Sequence, residues 1–358
     1  MNNMNTKKIG YLALFISIIL ATSCGPGKHV SFNITQPAEI TMPSEANTIL
    51  LIDRTKFNNE LLNTLEGLLT GELPADDKAA AQEALNSLKK ELDNSPRFQV
   101  KILPDRFNGN SMTTAFPDAL SWEFINQLCI ANQADIIVAL EVFDSNFIIT
   151  NGQRIKKRTE GTGDARREVD YTEYYAQGVG SIKMGIRTYY NKDRRIIDQQ
   201  MLSKNNTWEA TGTSATDAVV ALISKSNANK YLAKKVGSDY AYKISPMTIR
   251  ISRPFFGKSK DVPEVAEGTR YADVNKWNEA IDSWKRGLPK ASGKDAGNLA
   301  YNIAIGYEVL GEYGQALTWA QDSDTRYGNK YGRNYASELQ RRINDEELVK
   351  IQMNHTEK

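Results

Sequence analysis

Histidine and cysteine are nearly missing from this chain of 358 residues, which holds two of each. His29 falls in the polar stretch after Cys24, and His355 stands three residues from the end of the sequence. Neither position suits a packed site. That excludes Ser-His-Asp and Cys-His arrangements and nearly all zinc sites built on imidazole. No metal and no cofactor is therefore expected. The cysteines are Cys24 and Cys129. If Cys24 is consumed by another chemistry, Cys129 has no mate and an intrachain disulfide is excluded. In "WEFINQLCIANQAD", Phe124, Ile125, Leu128 and Cys129 follow helical spacing, so Cys129 reads as a buried structural thiol. A surplus of one charge is missing too. Lys and Arg number 45 against 43 Asp and Glu, and Lys7 and Lys8 account for the difference, so the chain beyond them is balanced. Nucleic-acid surfaces draw on a basic surplus, and none is expected here. A phosphate-cradling loop is absent, since "GTGDAR" lacks both the lysine and the strand-to-helix setting.

Long apolar runs are also lacking. The longest, Ile9 to Ala21, is about 13 residues, short of the roughly 20 that span a bilayer as a helix. With Lys7 and Lys8 before it and Thr22 and Ser23 after it, residues 1–23 read as a secretory signal. Cys24 directly behind small residues resembles the lipobox of bacterial lipoproteins, in which that thiol is acylated. The expectation is a membrane partner through a lipid on Cys24, with residues 24–36 as a tether. Lys28 and His29 give no acidic run after Cys24, which favours the periplasmic face of an outer membrane over the cell surface.

From residue 37 to 257 the pattern is that of a mixed α/β domain. "NTILLIDRT", "RFQVKIL" and "ADIIVALEVF" read as strands. Helices are predicted at about 58–69, in "PADDKAAAQEALNSLKKELDNSP" and in "PDALSWEFINQLCIANQ". Two long β-rich stretches follow, the second breaking at "NKDR" like a hairpin turn. A helix over about 214–236 and a last strand in "SPMTIRISRPFF" complete the domain. Residues 258–345 read as all-helical and 346–358 as a polar tail. "NKWNEAIDSWKRG" and "GEYGQALTWAQDS" align at an offset of 36, with Trp277 over Tyr313, Ala280 over Ala316 and Trp284 over Ala320. This resembles the tetratricopeptide repeat, whose period is about 34 residues. The fold class is α+β: a mixed α/β sheet domain followed by a small helical region.

The order of "PAEITMP", "IDRT", "ADIIVALEVF", "TWEATG", "ISPMTIRISRPFF" and "KWNEAIDSWKRG" resembles an uncharacterised family of Bacteroidetes lipoproteins, the domain of unknown function DUF6340, over nearly all of the chain past the signal. The resemblance carries no activity to transfer. The α/β part is distantly similar to periplasmic curli-secretion and Tol-type lipoprotein domains, a likeness of fold that implies no function.

Four groups of residues are candidates for a site. Asp53 and Arg54 end one predicted strand, and Glu141 and Asp144 end another, at the edge where α/β sheets place ligands. If the strands are parallel neighbours these groups converge, either as a carboxyl pair for hydrolysis or as strand-end caps and ion pairs, and the second is favoured. The 153–173 segment, with Arg154, Lys156 and Lys157 among six bases and five acids, reads as a solvated loop, or as an anion-binding edge. Tyr171, Tyr174, Tyr175, Tyr189 and Tyr190 are either sheet residues or a stacking platform for sugars. In the helical region, Trp277, Trp284, Tyr307, Tyr313 and Trp319 are candidates for a protein-contact surface. The expected function is a non-enzymatic interaction or assembly module of the cell envelope with a protein partner. The alternatives are a glycan or envelope-ligand binder and, ranked last, a carboxylate-dependent hydrolase.

Overall fold

The structure is a computed structural model that describes residues 26–55, 74–107 and 115–353. The sequence-predicted helix at about 58–69, and Cys24 itself, lie outside the described residues. The chain divides into two compact units. One runs from Pro37 to Met247 and takes in the chain from Val349 onward. The other runs from Thr248 to Leu348 and includes the segment up to Gln36.

The first unit is built on a five-stranded mixed sheet in the order β3-β2-β4-β5-β6. Its strands are β2 (Thr48–Asp53), β3 (Gln99–Arg106), β4 (Ile136–Glu160), β5 (Arg167–Tyr190) and β6 (Arg195–Gly212). β2 pairs in parallel with both β3 and β4, from Ile49 opposite Ile136 to Asp53 opposite Leu140. β4, β5 and β6 are antiparallel. The turn between β5 and β6 falls at Asn191–Arg194, where the sequence places it. Ile49, Leu50, Leu51 and Ile52 are all buried because β2 is covered on both faces.

Helices α1 (Pro74–Asp93), α3 (Ala215–Ala221) and α4 (Lys225–Ile244) cover one face, and α2 (Trp122–Asn132) packs on the other. α1 brings Ala84, Leu85, Leu88 and Leu92 against Leu232, Val236, Tyr240 and Ile244 of α4. Each fully buried leucine contributes about 1.5–3 kcal/mol. The two helices touch backbone to backbone. A Cβ on Gly237 would lie 2.2 Å from the Ala84 carbonyl oxygen, so only glycine fits there. The single helix predicted over 214–236 is two helices, divided at Leu222–Ser224, with Ser214 and Ser224 each accepting from a backbone N–H of the following turn.

Within residues 153–173 only the tip at 161–166 is a loop; the rest is strand. β4 and β5 stay paired from Ile136 opposite Tyr190 to Glu160 opposite Arg167, so this segment is the end of a long two-stranded ribbon. β6 pairs with β5 only from Tyr174 onward. The balanced charge of the segment suits a ribbon whose two faces are wet. Alternating charges on strands look like loop composition when each strand is read alone.

The second unit holds a two-stranded sheet of β1 (Lys28–Gln36) and β7 (Met247–Phe255), followed by helices α5 (Pro263–Asp273), α6 (Trp277–Gly287), α7 (Gly293–Val309), α8 (Tyr313–Thr325) and α9 (Lys330–Met353). The stretch read as a tether is therefore a paired strand from Lys28 onward, and the stretch read as a polar tail remains helical to Met353. The offset of 36 is realised in three dimensions. α6 begins at Trp277 and α8 at Tyr313, and the preceding turns carry left-handed residues at Asn275 and Gly311. Lys276 N donates to the Tyr271 carbonyl at 2.9 Å, and Glu312 N donates to the Tyr307 carbonyl at 2.9 Å. Each is the six-to-one bond of a Schellman cap. The whole is α+β: sheets in the N-terminal part, then a run of helices.

Candidate functional site

β2 ends at Asp53, and the chain turns at once onto the neighbouring strand: Arg54 N donates to the Leu140 carbonyl at 2.7 Å. This places Arg54 beside Glu141, as strand-end reasoning anticipates. Glu141 is the extra residue where the β4–β5 register shifts between Leu140 and Val142. Such a bulge re-aims a side chain. Here it leaves Glu141 on the face of Ile137, Ala139 and Tyr189, which packs with Ile125 and Cys129 of α2, and sends Phe143 to the opposite face.

Four groups meet there, all buried. Arg54 Nη1 donates to Glu141 Oε1. Tyr189 OH donates to the same oxygen at 2.8 Å, and Arg187 Nη1 lies 3.0 Å from Oε2. Arg187 also donates to the Tyr189 hydroxyl at 3.1 Å, the Pro117 carbonyl at 3.1 Å and Gln199 Oε1 at 2.8 Å, and its guanidinium stacks over Phe116. Among the described residues Arg54 Nε has no hydrogen-bond partner. The Arg187–Glu141 Oε2 approach is a charge contact without hydrogen-bond geometry. Burial raises the Glu141 carboxyl above its usual range, against the pull of Arg54, Tyr189 and Arg187. Burial likewise raises the Tyr189 phenol.

The other two predicted members stand apart. Asp53 closes its own strand end: Oδ1 accepts from Thr55 N at 2.9 Å and Thr55 Oγ1 at 2.6 Å, and Oδ2 pairs with Arg106 at 2.8 Å. Asp144 sits three residues past Glu141, opposite Lys183 in the ladder. The predicted carboxyl pair is thus not assembled. Glu141 is instead held between two arginines and a tyrosine. Arg187 and Tyr189 escaped sequence reasoning, although an arginine two residues before a tyrosine inside the apolar run "MGIRTYY" was a signal for a paired buried charge.

The basic and tyrosine candidates share the ribbon but not one surface. Tyr171 and Tyr175 occupy one face. Tyr174 points to the other, against Ala218 and Leu222 of the α3 cluster. Tyr175 lies across Gly152, its cross-strand neighbour, and Arg154 stacks over the ring at 5.0 Å. Arg158 lies over Tyr171 at 5.6 Å. Arg154 pairs with Glu173 at 2.6 Å and with Glu209 at 2.7 Å, Lys156 with Glu173 at 2.7 Å, and Lys157 with Glu168 at 3.4 Å. Glu209 and Glu173 hold the Arg154 guanidinium above its ordinary range, and Lys156 and Arg154 hold Glu173 below it. The "RIKKR" cations are thus spent across the ribbon. Tyr189 and Tyr190 are fully buried, so they belong to the core and not to a platform.

Burial also takes most of the helical candidates off the surface. Trp284 is fully buried, with its indole N–H donating to the Val265 carbonyl at 3.2 Å and its ring against Gly268. Trp277 and Tyr307 are buried, and Tyr313 and Trp319 are partly buried against the same core. Alternating bulky and small residues fill the seams between helices, and that demand, not partner binding, accounts for the aromatics. Sequence reasoning also missed the centre of this unit. Arg253 on β7 grips Glu308 of α7 with two bonds of 2.8 and 2.9 Å and reaches Glu338 at 2.6 Å, while Tyr335 OH donates to Glu308 at 2.6 Å.

Residues 46–256 match the family model described as a domain of unknown function, DUF8603, and residues 266–346 match the one described as a domain of unknown function, DUF6340. The DUF6340 resemblance, read from the sequence over nearly the whole chain, is thus confined to the helices around "KWNEAIDSWKRG". "IDRT", "ADIIVALEVF", "TWEATG" and "ISPMTIRISRPFF" fall in the other match. No curated protein matches the chain. Among solved structures, the crystal structure of a "putative neuraminyllactose-binding hemagglutinin homolog" from Helicobacter pylori is similar at 11% identity over 57% of this chain and 94% of that one, with a TM-score of 0.23. More than half of the chain lies within the first family match, and the protein belongs to the DUF8603 family, with a DUF6340 segment in its helices.

Proposed function

We propose that this protein is a lipid-anchored component of a bacterial cell envelope, held to the outer membrane on its periplasmic face through Cys24, and that it works as a non-enzymatic interaction module. The observation that carries the reading is the far half of the β4–β5–β6 sheet. β4 leaves β2 after Leu140, so its outer edge from Val142 to Glu160 has no strand partner among the described residues. On the face of the sheet that carries Glu141 and Tyr189, Ile148 and Val179 stand directly opposite each other and are 55% and 41% exposed. Apolar side chains on an open strand edge suit a protein partner. The Glu141 carboxylate, held by two hydrogen-bond donors and the charge of Arg187, is not a free base, and the hydrolase reading is ranked last. The tetratricopeptide-like helices supply a second scaffold in this reading, with their aromatics as its core.

The test is site-specific photo-crosslinking in intact envelopes, with the reactive residue placed at Ile148, at Val179, or at Val220 on α3, which is 79% exposed. Adducts with one envelope protein from Ile148 and Val179 but not Val220, in fractions lost on Cys24→Ser, are expected. Equal adducts from all three positions would sink the reading. A second reading, a glycan or other envelope ligand, is favoured by the shared face of Tyr171 and Tyr175. It requires a ligand to displace Arg158 and Arg154 from those rings, so Tyr171→Ala with Tyr175→Ala should abolish glycan retention.

A further inference from the structure

Within the helical unit, the loop after β7 closes a cavity of about 630 Å³ against the start of α7. Four lysines line it, Lys28, Lys258, Lys260 and Lys294, with two carboxylates, Asp261 and Asp295. Lys28 is neutralised by Asp273, whose two oxygens lie 3.1 and 2.9 Å from its ammonium, and the stem of Lys28 is pressed against Gly257. Lys258 and Lys260 are different. Both are exposed, and neither has a carboxylate within ion-pair distance among the described residues. The chain enters this unit at the same place, since Gly27 and Lys28 are part of the lining. Gly27 stands three positions past Cys24. A chain reaches at most about 3.6 Å per residue, so a lipid on Cys24 would bring the bilayer surface within about 11 Å of the cavity mouth.

We propose that this lysine-lined cavity receives the phosphate of an anionic phospholipid headgroup beside the anchor, as a second membrane attachment. The proposal rests on the lipid-anchor reading. A lipid anchor is reinforced by a basic patch at the membrane surface, which attracts anionic headgroups beside it. The rest of the chain is charge-balanced, so the attraction must be local. Lys258 and Lys260 supply it, as exposed cations that form no ion pair with Asp261 or Asp295 of the same lining.

The experiment measures partition of the purified full chain onto vesicles, in the Cys24→Ser background so that no acyl chain contributes. Vesicles hold either neutral phosphatidylcholine alone or a mixture with about a third phosphatidylglycerol. Each lysine near an anionic surface changes partition about fivefold, so Lys258→Glu with Lys260→Glu should lower binding to the anionic vesicles about 25-fold or more. Lys234→Glu with Lys235→Glu on α4 makes the same change of net charge at exposed positions of the other unit and should leave binding within a few fold. Equal losses in the two double variants, or no preference of the parent for anionic vesicles, would overturn the proposal. So would saturable binding of glycerol phosphate that displaces the protein from vesicles, which would make the cavity a site for a free phosphate. Labelling of the wild-type chain with a radioactive fatty acid tests the anchor separately. A labelled chain with no lysine effect defeats the cavity alone, and an unlabelled chain defeats the anchor.

Discussion

The Arg253–Glu308 centre of the helical unit and the Arg54–Glu141–Arg187 centre of the sheet unit use the same parts, a buried glutamate, arginine and a tyrosine hydroxyl, and satisfy them to different degrees. In the helical unit a bidentate fork occupies both oxygens of Glu308, Tyr335 adds a third bond, and Glu338 takes the remaining arm of Arg253. Burial works to lower the Arg253 pKa, but Glu308 and Glu338 outweigh it and hold the group above its ordinary range. In the sheet unit one glutamate faces two arginines, and Arg54 Nε is left buried without a partner. Two cations on one anion in an interior is the costlier arrangement. The first centre locks β7 to α7 and α9. The second carries an unspent positive charge at the end of the parallel strands.

The comparison breaks most visibly at the glutamates. Removing one partner of a buried pair costs about 3–5 kcal/mol. Glu308→Ala should fall in that range, because Glu338 still engages Arg253. Glu141→Ala should exceed it, because Arg54 and Arg187 then face each other with nothing between them. That is comparable to the whole stability of many domains, about 5–15 kcal/mol. Urea unfolding of both variants decides the point, and a smaller loss for Glu141→Ala would contradict the charge imbalance. Glu141→Gln should lie between wild type and Glu141→Ala.

A smaller contrast tests the tyrosines. A hydrogen bond to a charged group contributes about 1.5–3 kcal/mol. Tyr335→Phe removes one such bond. Tyr189→Phe removes the bond to Glu141 and also strips the acceptor from Arg187 Nη1 and from Leu120 N, which lies 3.2 Å away. Tyr189→Phe should therefore be the more destabilising by thermal unfolding. Equal losses would mean that the hydroxyl of Tyr189 acts through Glu141 alone.

Much of this could be read from the sequence, and the failures share a cause. The strands β2 and β4 were legible as apolar runs that end in charge, and the meeting of Arg54 and Glu141 was anticipated on the condition, met in the structure, that they are parallel neighbours. Period-two reasoning could not see the bulge. Strict alternation puts Glu141 and Phe143 on one face, the α2 side with Ile137 and Ala139, whereas the extra residue sends Phe143 to the α1–α4 core. The partners Arg187, Arg253 and Glu308 sit far along the chain from the residues they neutralise. A lone charge in an apolar run such as "IAIGYEVLG" shows that a partner exists but not where it is. Of the aromatic residues found by the spacing of the repeat, Trp277, Trp284 and Tyr307 are core and not surface. The 36-residue period that revealed them is the period of the packing itself.

The smallest effect sharpens the account of the α2 side of the sheet. Burial pushes the Cys129 thiol up to about 11 from an ordinary value near 9. A group whose pKa is raised on folding adds stability that is complete below its unfolded pKa and is lost as pH climbs to the folded one. Wild type should therefore lose stability between about pH 9 and 11 more steeply than Cys129→Ala, although the variant starts lower because it leaves a small cavity beside Ile125 and Ile137. In the Cys24→Ser background Cys129 is the remaining thiol. It should resist a thiol reagent at pH 8 in the folded chain and react at once in urea. Parallel pH slopes, or a fast folded-state reaction, would mean that α2 lifts from the sheet. The Tyr189 side of the Glu141 centre would then be open to water, and Arg54 Nε would no longer be a buried donor without a partner.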